Sequence, residues 1–323
     1  MTFHTYDAVI IGGGAAGLSA AQTLGRSLRN TLVIDAGSPR NRFAAHMHNV
    51  LGHDGINPTE LLARGREELE RYGVAVAAGS VTAVRSEADS HLTIDIATEP
   101  GIPERSITTR ALVVATGVRD VLPDIPGLAE HWGSGVFHCP YCHGWEVRDS
   151  RIGVVTTSPM SLHQVTLLRQ WSDRVTVFSA GLGGLDPVTE RALRARGMVI
   201  ESDPVAEILG DGSSVTGVRT SSGSVHQIDA VFTVSGLEAL DGFLADLDLD
   251  RTETPFGSFL TVDPMGRTSH PRIWAVGNVA APMATVPVAM GAGAMAGGGV
   301  NFALVEEDFT LAVSAADAAE TLA

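Results

Sequence analysis

The chain has 323 residues and a net charge of −15, from 22 basic and 37 acidic side chains, and every basic residue is Arg. That length favours two domains over one, and the missing Lys excludes lysine Schiff-base chemistry and the lysine of a P-loop. The acidic balance argues against nucleic acid or an anionic membrane as partner.

Residues 6–11 form an apolar run closed by glycines, which predicts a buried parallel strand. Residues 15–28 place Leu18, Ala21, Leu24 and Leu28 on one helical face, and residues 31–34 predict a second strand ending at Asp35. Together these make one βαβ unit. A helix is expected over 58–72, then strands over 74–84, 91–96 and 111–115. Residues 120–127, rich in Pro and Asp, read as a linker. A second strand–helix–strand unit follows at 152–156, 161–171 and 175–178. After it come a helix at 190–196, a hairpin over 214–228 and a strand at 230–234. The register loosens after Gly236 until a strand at 273–276, and a helix of small residues closes the chain.

Residues 279–305 carry no charge and are long enough to span a bilayer. Their Pro282, Pro287 and many Ala and Gly favour a buried helix of a soluble protein instead. The residues up to Asp7 lack the basic region and cleavage site of a signal peptide. The acidic, Ala-rich segment after Glu306 suggests no chemistry. The doubled βαβ pattern predicts an α/β fold of two Rossmann-like dinucleotide-binding domains.

Gly12-Gly13-Gly14-Ala15-Ala16-Gly17 has the form G-x-G-x-x-G between a strand and a helix, with Asp35 ending the next strand. In that setting the first glycine makes the tight turn, the second lets a pyrophosphate approach, and the third packs helix on strand. The acid would accept from ribose hydroxyls. A glycine-rich turn without ligand is the plain alternative. Ala115-Thr116-Gly117 and Gly277-Asn278 are two further strand ends with small residues, and convergence of the three fits a long ligand such as FAD.

Cys139 and Cys142 are the only cysteines, flanked as His138-Cys-Pro-Tyr-Cys-His143. The spacing suits a redox dithiol. Simple packing and a zinc site drawn from the same four residues are the alternatives, although four ligands within six residues would struggle to close a tetrahedron. No metal is expected. The lone pair fits a reducing cytosol, so the chain is expected to be cytoplasmic. Trp132, Phe137, Tyr141 and Trp145 surround the pair in sequence, either as core or as a wall for an apolar substrate.

On these motifs, with Asn49 ahead of Leu51-Gly52, the sequence resembles the low-molecular-weight thioredoxin reductase family over nearly its whole length. The resemblance implies an FAD domain built from both chain ends (1–119 and 239–323), with a second domain inserted at 120–238. It implies a homodimer, with Cys142 facing the flavin and Cys139 exchanging with substrate. The implied FAD contacts are Gly12, Gly14, Ala15, Ala16, Gly17, Asp35, Ala36, Arg42, Asn49, Val81, Ala115, Thr116, Gly117, Gly277, Asn278, Thr285 and Val286.

The departures from the family are specific. The strand at 152–155 runs into Thr156-Thr-Ser-Pro-Met-Ser161 where the family has a glycine-rich NADPH fingerprint, and Phe178-Ser-Ala-Gly-Leu-Gly-Gly184 has no Arg for a 2′-phosphate. The family's acid after the second cysteine is His143 here, its late Gly-Asp is Gly277-Asn278, and its Arg-Gln is Ala284-Thr285. Together with Arg40-Asn-Arg42-Phe43 and His46-Met-His48-Asn49, these features resemble one branch, the FAD-dependent dithiol oxidases that close the disulfide of gliotoxin- or holomycin-type antibiotics. That branch implies no use of NADPH, a small-molecule dithiol as substrate and O2 as acceptor. In such a reaction a substrate thiolate attacks Cys139, a second thiol releases the cyclic disulfide, and Cys142 passes the electrons to the flavin. His143 is the expected proton shuttle and His138 the second choice. His46, His48 and His53 could face the same cleft and rank below them. An NADPH-dependent disulfide reductase and a flavin-bound redox sensor are the other readings.

Overall fold

The computed structural model describes residues 5–87, 91–97 and 105–322. It divides into two compact units, one of Met1–Arg40, Thr59–Arg119 and Leu237–Ala323, the other of Asn41–Pro58 and Asp120–Gly236. Each holds its own sheet of parallel strands with helices, so the fold is α/β with two Rossmann-like units.

The first unit is built on the parallel strands Ala75–Ala78, Thr31–Asp35, Thr5–Ile11 and Arg105–Val114, in that order across the sheet. Ile273–Ala275 joins Arg105–Val114 in parallel. The central strand shows no in–out alternation: Ala8, Val9, Ile10 and Ile11 are all buried, as a strand covered on both faces requires. The expected strand over 74–84 is two strands, Ala75–Ala78 and Val81–Ser86, which pair with different neighbours. A hairpin of Arg251–Thr254 and Gly257–Leu260 lies where the sequence suggested no regular structure.

The last helix, Val286–Leu322, is long and apolar enough to cross a membrane by composition alone. In the structure Ala296, Val300 and Leu304 are buried in the core of the first unit. Its small residues let it lie close to the helix Ala15–Arg26: a Cβ on Gly293 would sit 2.0 Å from the Ala16 carbonyl oxygen, and one on Gly297 2.7 Å from that of Ala20. The segment after Glu306 is helical, and its first charges have partners. Glu307 and Asp308 pair with Arg110, at 2.8 and 2.6 Å, Glu307 also pairs with Arg272, and Asp308 with Arg29.

The second unit centres on five parallel strands in the order Val199–Glu201, Val175–Phe178, Ile152–Val155, Ala230–Thr233 and Val136–Phe137. Residues 41–58 belong to this unit, which corrects their assignment to the first domain and moves Arg42 and Asn49 with them. The reason is packing far along the chain. Phe43 lies against Gly133, where a Cβ would be 2.8 Å from the Phe43 backbone oxygen, and Asn49 bonds to Tyr141.

Candidate active site

The edge strand Val136–Phe137 delivers His138 and then Cys139 to the carboxyl end of the second sheet, the end at which parallel α/β sheets bind ligands. Pro140 opens a single helical turn, Pro140–His143, a position where its missing N–H costs nothing. The N–H groups of Cys142 and His143 donate to the Cys139 carbonyl at 3.1 and 3.2 Å. This turn sets the two Cα atoms 5.3 Å apart, and the sulfurs form a disulfide. The pair is thus closed as a disulfide, a bond open to thiol–disulfide exchange. Buried Gln164 anchors the segment: its side-chain amide donates to the carbonyls of His138 and Thr233.

His143 stacks on Phe137 with ring centroids 4.4 Å apart, and its Nδ1 is buried without a hydrogen-bond partner among the described residues. Burial holds its pKa below the ordinary histidine value; the Glu146 carboxylate opposes that shift and His48 adds to it. An imidazole so placed is neutral near neutrality and able to take a proton. Glu146, three residues further on, carried no signal in the sequence that set it apart from a solvated acid.

The loop 41–58 brings two side chains to this turn. His48 lies between Asp54 and Glu146, with Nδ1 3.2 Å from Asp54 Oδ1 and Nε2 3.2 Å from Glu146 Oε1. Asn49, at a positive φ of 64°, donates from Nδ2 to the Tyr141 carbonyl at 3.0 Å. His46 instead turns to Gly55 of its own loop. Arg42 lies over the Phe43 ring at 4.1 Å. The aromatic cluster divides: Phe137 and Trp132 pack in the cores of this unit, whereas Tyr141 and Trp145 are 61% and 65% exposed beside the disulfide. Arg148 stacks on Trp145 at 4.2 Å, and Tyr141 meets Trp171 edge-on.

In the first unit the three strand ends do converge. Gly12 has φ +108°, and a Cβ there would lie 2.4 Å from the Ala115 carbonyl oxygen. A Cβ on Gly17 would lie 1.9 Å from the Gly12 oxygen, and one on Gly277 3.1 Å from Ala16. Asp35 accepts from the Gly13 N–H at 3.1 Å and from Arg66 at 2.6 Å. Gly14, at the start of the helix Ala15–Arg26, is different: no atom lies within 4 Å of its added Cβ, and the helix start has no side-chain cap. That open, dipole-positive end fits a pyrophosphate. Thr116 Oγ1 is buried without a partner among the described residues, as a group awaiting a ligand would be. Asn278 donates to the carbonyls of Ala281, Pro282 and Ala284, and so shapes the approach to Thr285 and Val286. Ala36 follows Asp35 at the strand end, Gly117 follows Thr116, and Val81 opens its strand opposite Ile96. These residues fit an FAD.

The corresponding place in the second unit is built otherwise. The N–H groups of Ser161, Leu162 and His163, at the start of the helix Ser161–Leu168, donate to the carbonyls of Ser158, Pro159 and Met160. The Thr157 N–H donates to Ser161 Oγ at 3.1 Å. Gly181 packs against this loop so closely that a Cβ would be 2.0 Å from the Thr156 oxygen.

Comparison with known proteins agrees with this geometry. The model of the pyridine nucleotide-disulphide oxidoreductase family matches residues 6–293. The thioredoxin reductase sirT of Leptosphaeria maculans is 32% identical over 94% of this chain and 95% of its own. The thioredoxin reductase tcpT of Claviceps purpurea is 34% identical over 92% and 93%. Among solved structures, HlmI superimposes with a TM-score of 0.90 at 40% identity, covering 100% of this chain and 99% of its own. The resemblance to thioredoxin reductases is borne out.

Proposed function

The chain belongs to the pyridine nucleotide-disulphide oxidoreductase family and is a thiol:disulfide oxidoreductase, and from that premise we propose that it is an FAD-dependent dithiol oxidase. Its substrate is a small-molecule dithiol of the natural-product type, its product the intramolecular disulfide, and its electron acceptor O2. The observation that carries this reading is the second unit's loop. A pyrophosphate needs glycine for close approach and free N–H groups at the helix start. Here there is no glycine in Thr156–Ser161, and the N–H groups of 161–163 are already bonded within the turn. On this ground we read the dithiol itself, rather than NADPH, as the source of the electrons.

The chain's own residues account for the thiol chemistry. A substrate thiolate attacks Cys139 Sγ, the Cys139–Cys142 bond breaks, and Cys142 leaves as a thiolate. The second substrate thiol gives up its proton and attacks the sulfur bonded to Cys139, which releases the cyclic disulfide and the Cys139 thiolate. His143, held neutral by burial, takes that proton. His138 is fixed through its backbone by Gln164 and is the second candidate. Tyr141 and Trp145 present the exposed aromatic surface that an apolar substrate would meet. Gly12, Gly14, Gly17, Asp35, Thr116 and Gly277 would hold FAD, which when bound would supply a two-electron acceptor for the reduced cysteine pair. We place the protein in the cytoplasm as a homodimer.

The names of the sirT and tcpT relatives favour a second reading, an NADPH-dependent disulfide reductase. The test of the oxidase reading is stoichiometry in air. With dithiothreitol as substrate, oxygen consumed, peroxide formed and disulfide formed should be equal in amount. Disulfide formation without peroxide contradicts it.

A further inference from the structure

In the first unit, the last helix has two apolar faces, and the chain covers only one of them. Ala296, Val300 and Leu304 lie in the core. On the outer side, about 200° around the helix from Val300, runs a second stripe. Its residues Val288, Met295, Phe302, Phe309 and Val313 are 48 to 71% exposed, without cover from the described residues. We propose that this stripe is the seam of a symmetric dimer, in which a second copy of the chain lays the same helix against it antiparallel, with Phe302 at the two-fold axis. The proposal rests on the homodimer reading and names the surface that forms it.

Spacing is the first ground. Val288, Met295, Phe302 and Phe309 recur at every seventh residue. A seven-residue apolar repeat is the pattern of a helix-pair seam. Its drift around a helix of 3.6 residues per turn is taken up by a left-handed supercoil. A helix face meant for water would be polar instead.

The glycines are the second ground. Gly293 and Gly297 pack on the helix Ala15–Arg26, and Gly299 lies against Trp274 and Met265. Gly291 and Gly298 are different: a Cβ on either would meet no atom within 4 Å. Packing within one chain gives no reason for glycine at these two positions, where it weakens a helix relative to alanine. Close approach of another backbone does.

Symmetry and charge choose the occupant. A two-fold axis at Phe302 sets residues equally far from it in sequence opposite one another. Met295 and Phe309, each seven residues away, then meet as thioether and aromatic ring. Val313 and Gly291, each eleven away, meet as a larger side chain over a bare backbone. The helix carries no charge before Glu306 and no base anywhere, but it holds Glu306, Glu307, Asp308, Asp317 and Glu320 from there on. Antiparallel pairing places these acids against the uncharged half of the other copy, whereas a parallel pair would set acid against acid. The same acids and the net charge of −15 oppose docking on an anionic membrane.

Sedimentation of the holoprotein reads the mass, and engineered cysteines read the seam. The wild type should sediment as a dimer, and Phe302→Glu and Phe309→Glu as monomers that keep their flavin. Under copper-phenanthroline oxidation Phe302→Cys should link to itself, doubling the mass on a non-reducing gel, while the wild type does not. Met295→Cys and Phe309→Cys should link only when the two variants are produced together. Self-linking of Met295→Cys, the mark of a parallel pair, overturns the proposal. A wild-type dimer that both glutamate variants leave intact keeps the homodimer reading and overturns the seam alone. A monomeric wild type removes both, and if that monomer floats with phosphatidylcholine vesicles the occupant of the stripe is a membrane.

Discussion

The side-chain amide of Gln164 donates to the backbone carbonyl of His138, the residue before Cys139. Gln164 lies on the helix Ser161–Leu168, and through this bond the helix steadies the dithiol segment. Gln164→Ala removes the donor from the part-buried His138 carbonyl and the buried Thr233 carbonyl. It should destabilise the protein by about 1–3 kcal/mol. Thermal melting checks this, and flavin content, held by the other unit, should be unchanged.

Two glycines of the same motif should separate folding from cofactor loading. Gly17→Ala puts a methyl 1.9 Å from the Gly12 carbonyl oxygen, so helix and strand must part. It should lower the melting point of the flavin-free protein, with a cost of about 1–3 kcal/mol. Gly14→Ala meets no atom within 4 Å. Its flavin-free form should melt like the parent, while the methyl enters the space a pyrophosphate would use. The visible flavin absorbance per chain after purification should fall.

The ion pairs of the last helix make a pH prediction. The Glu307 carboxyl is held below its ordinary value of 4.5, first by its hydrogen bond from Arg272 and also by Arg110. A carboxylate with a depressed folded pKa stabilises the fold above its unfolded value, and that contribution is lost as pH falls through the folded one. Wild-type melting temperature should therefore drop as pH is lowered from 4.5. Glu307→Gln should melt lower at neutral pH and show a shallower drop on acidification. Parallel acid slopes would contradict the assignment.

The proposed function assigns the cysteines ordered roles. Cys142→Ser should leave the flavin oxidised when a dithiol is added without air. Cys139→Ser should keep a thiolate at Cys142 and show long-wavelength charge-transfer absorbance, which fades on acidification. Normal turnover in either variant would contradict the dithiol assignment.

What the sequence made legible was local. The turn at Gly12–Gly17, the acid at Asp35 and the disulfide at Cys139–Cys142 are set by residues close in the chain, and each lies where the spacing placed it. What it hid depends on distant partners. Residues 41–58 join the second unit through Phe43 against Gly133 and Asn49 with Tyr141, contacts about ninety residues apart in sequence. Glu146 and Gln164 look like any surface acid and any helix amide until the fold sets them beside His48 and His138. Glu307 and Asp308 looked inert because their arginines come from positions 29, 110 and 272. The hairpin was missed because its first strand, Arg251–Thr254, is mostly exposed and polar and shows no alternation.

The source of the electrons decides between oxidase and reductase, and flavin bleaching without oxygen reads it. The purified holoprotein is mixed under argon with NADPH and, separately, with dithiothreitol. Dithiothreitol should bleach the flavin and NADPH should leave it yellow. Admitting air to the bleached sample should restore the colour and yield peroxide. Rapid bleaching by NADPH would refute the oxidase reading.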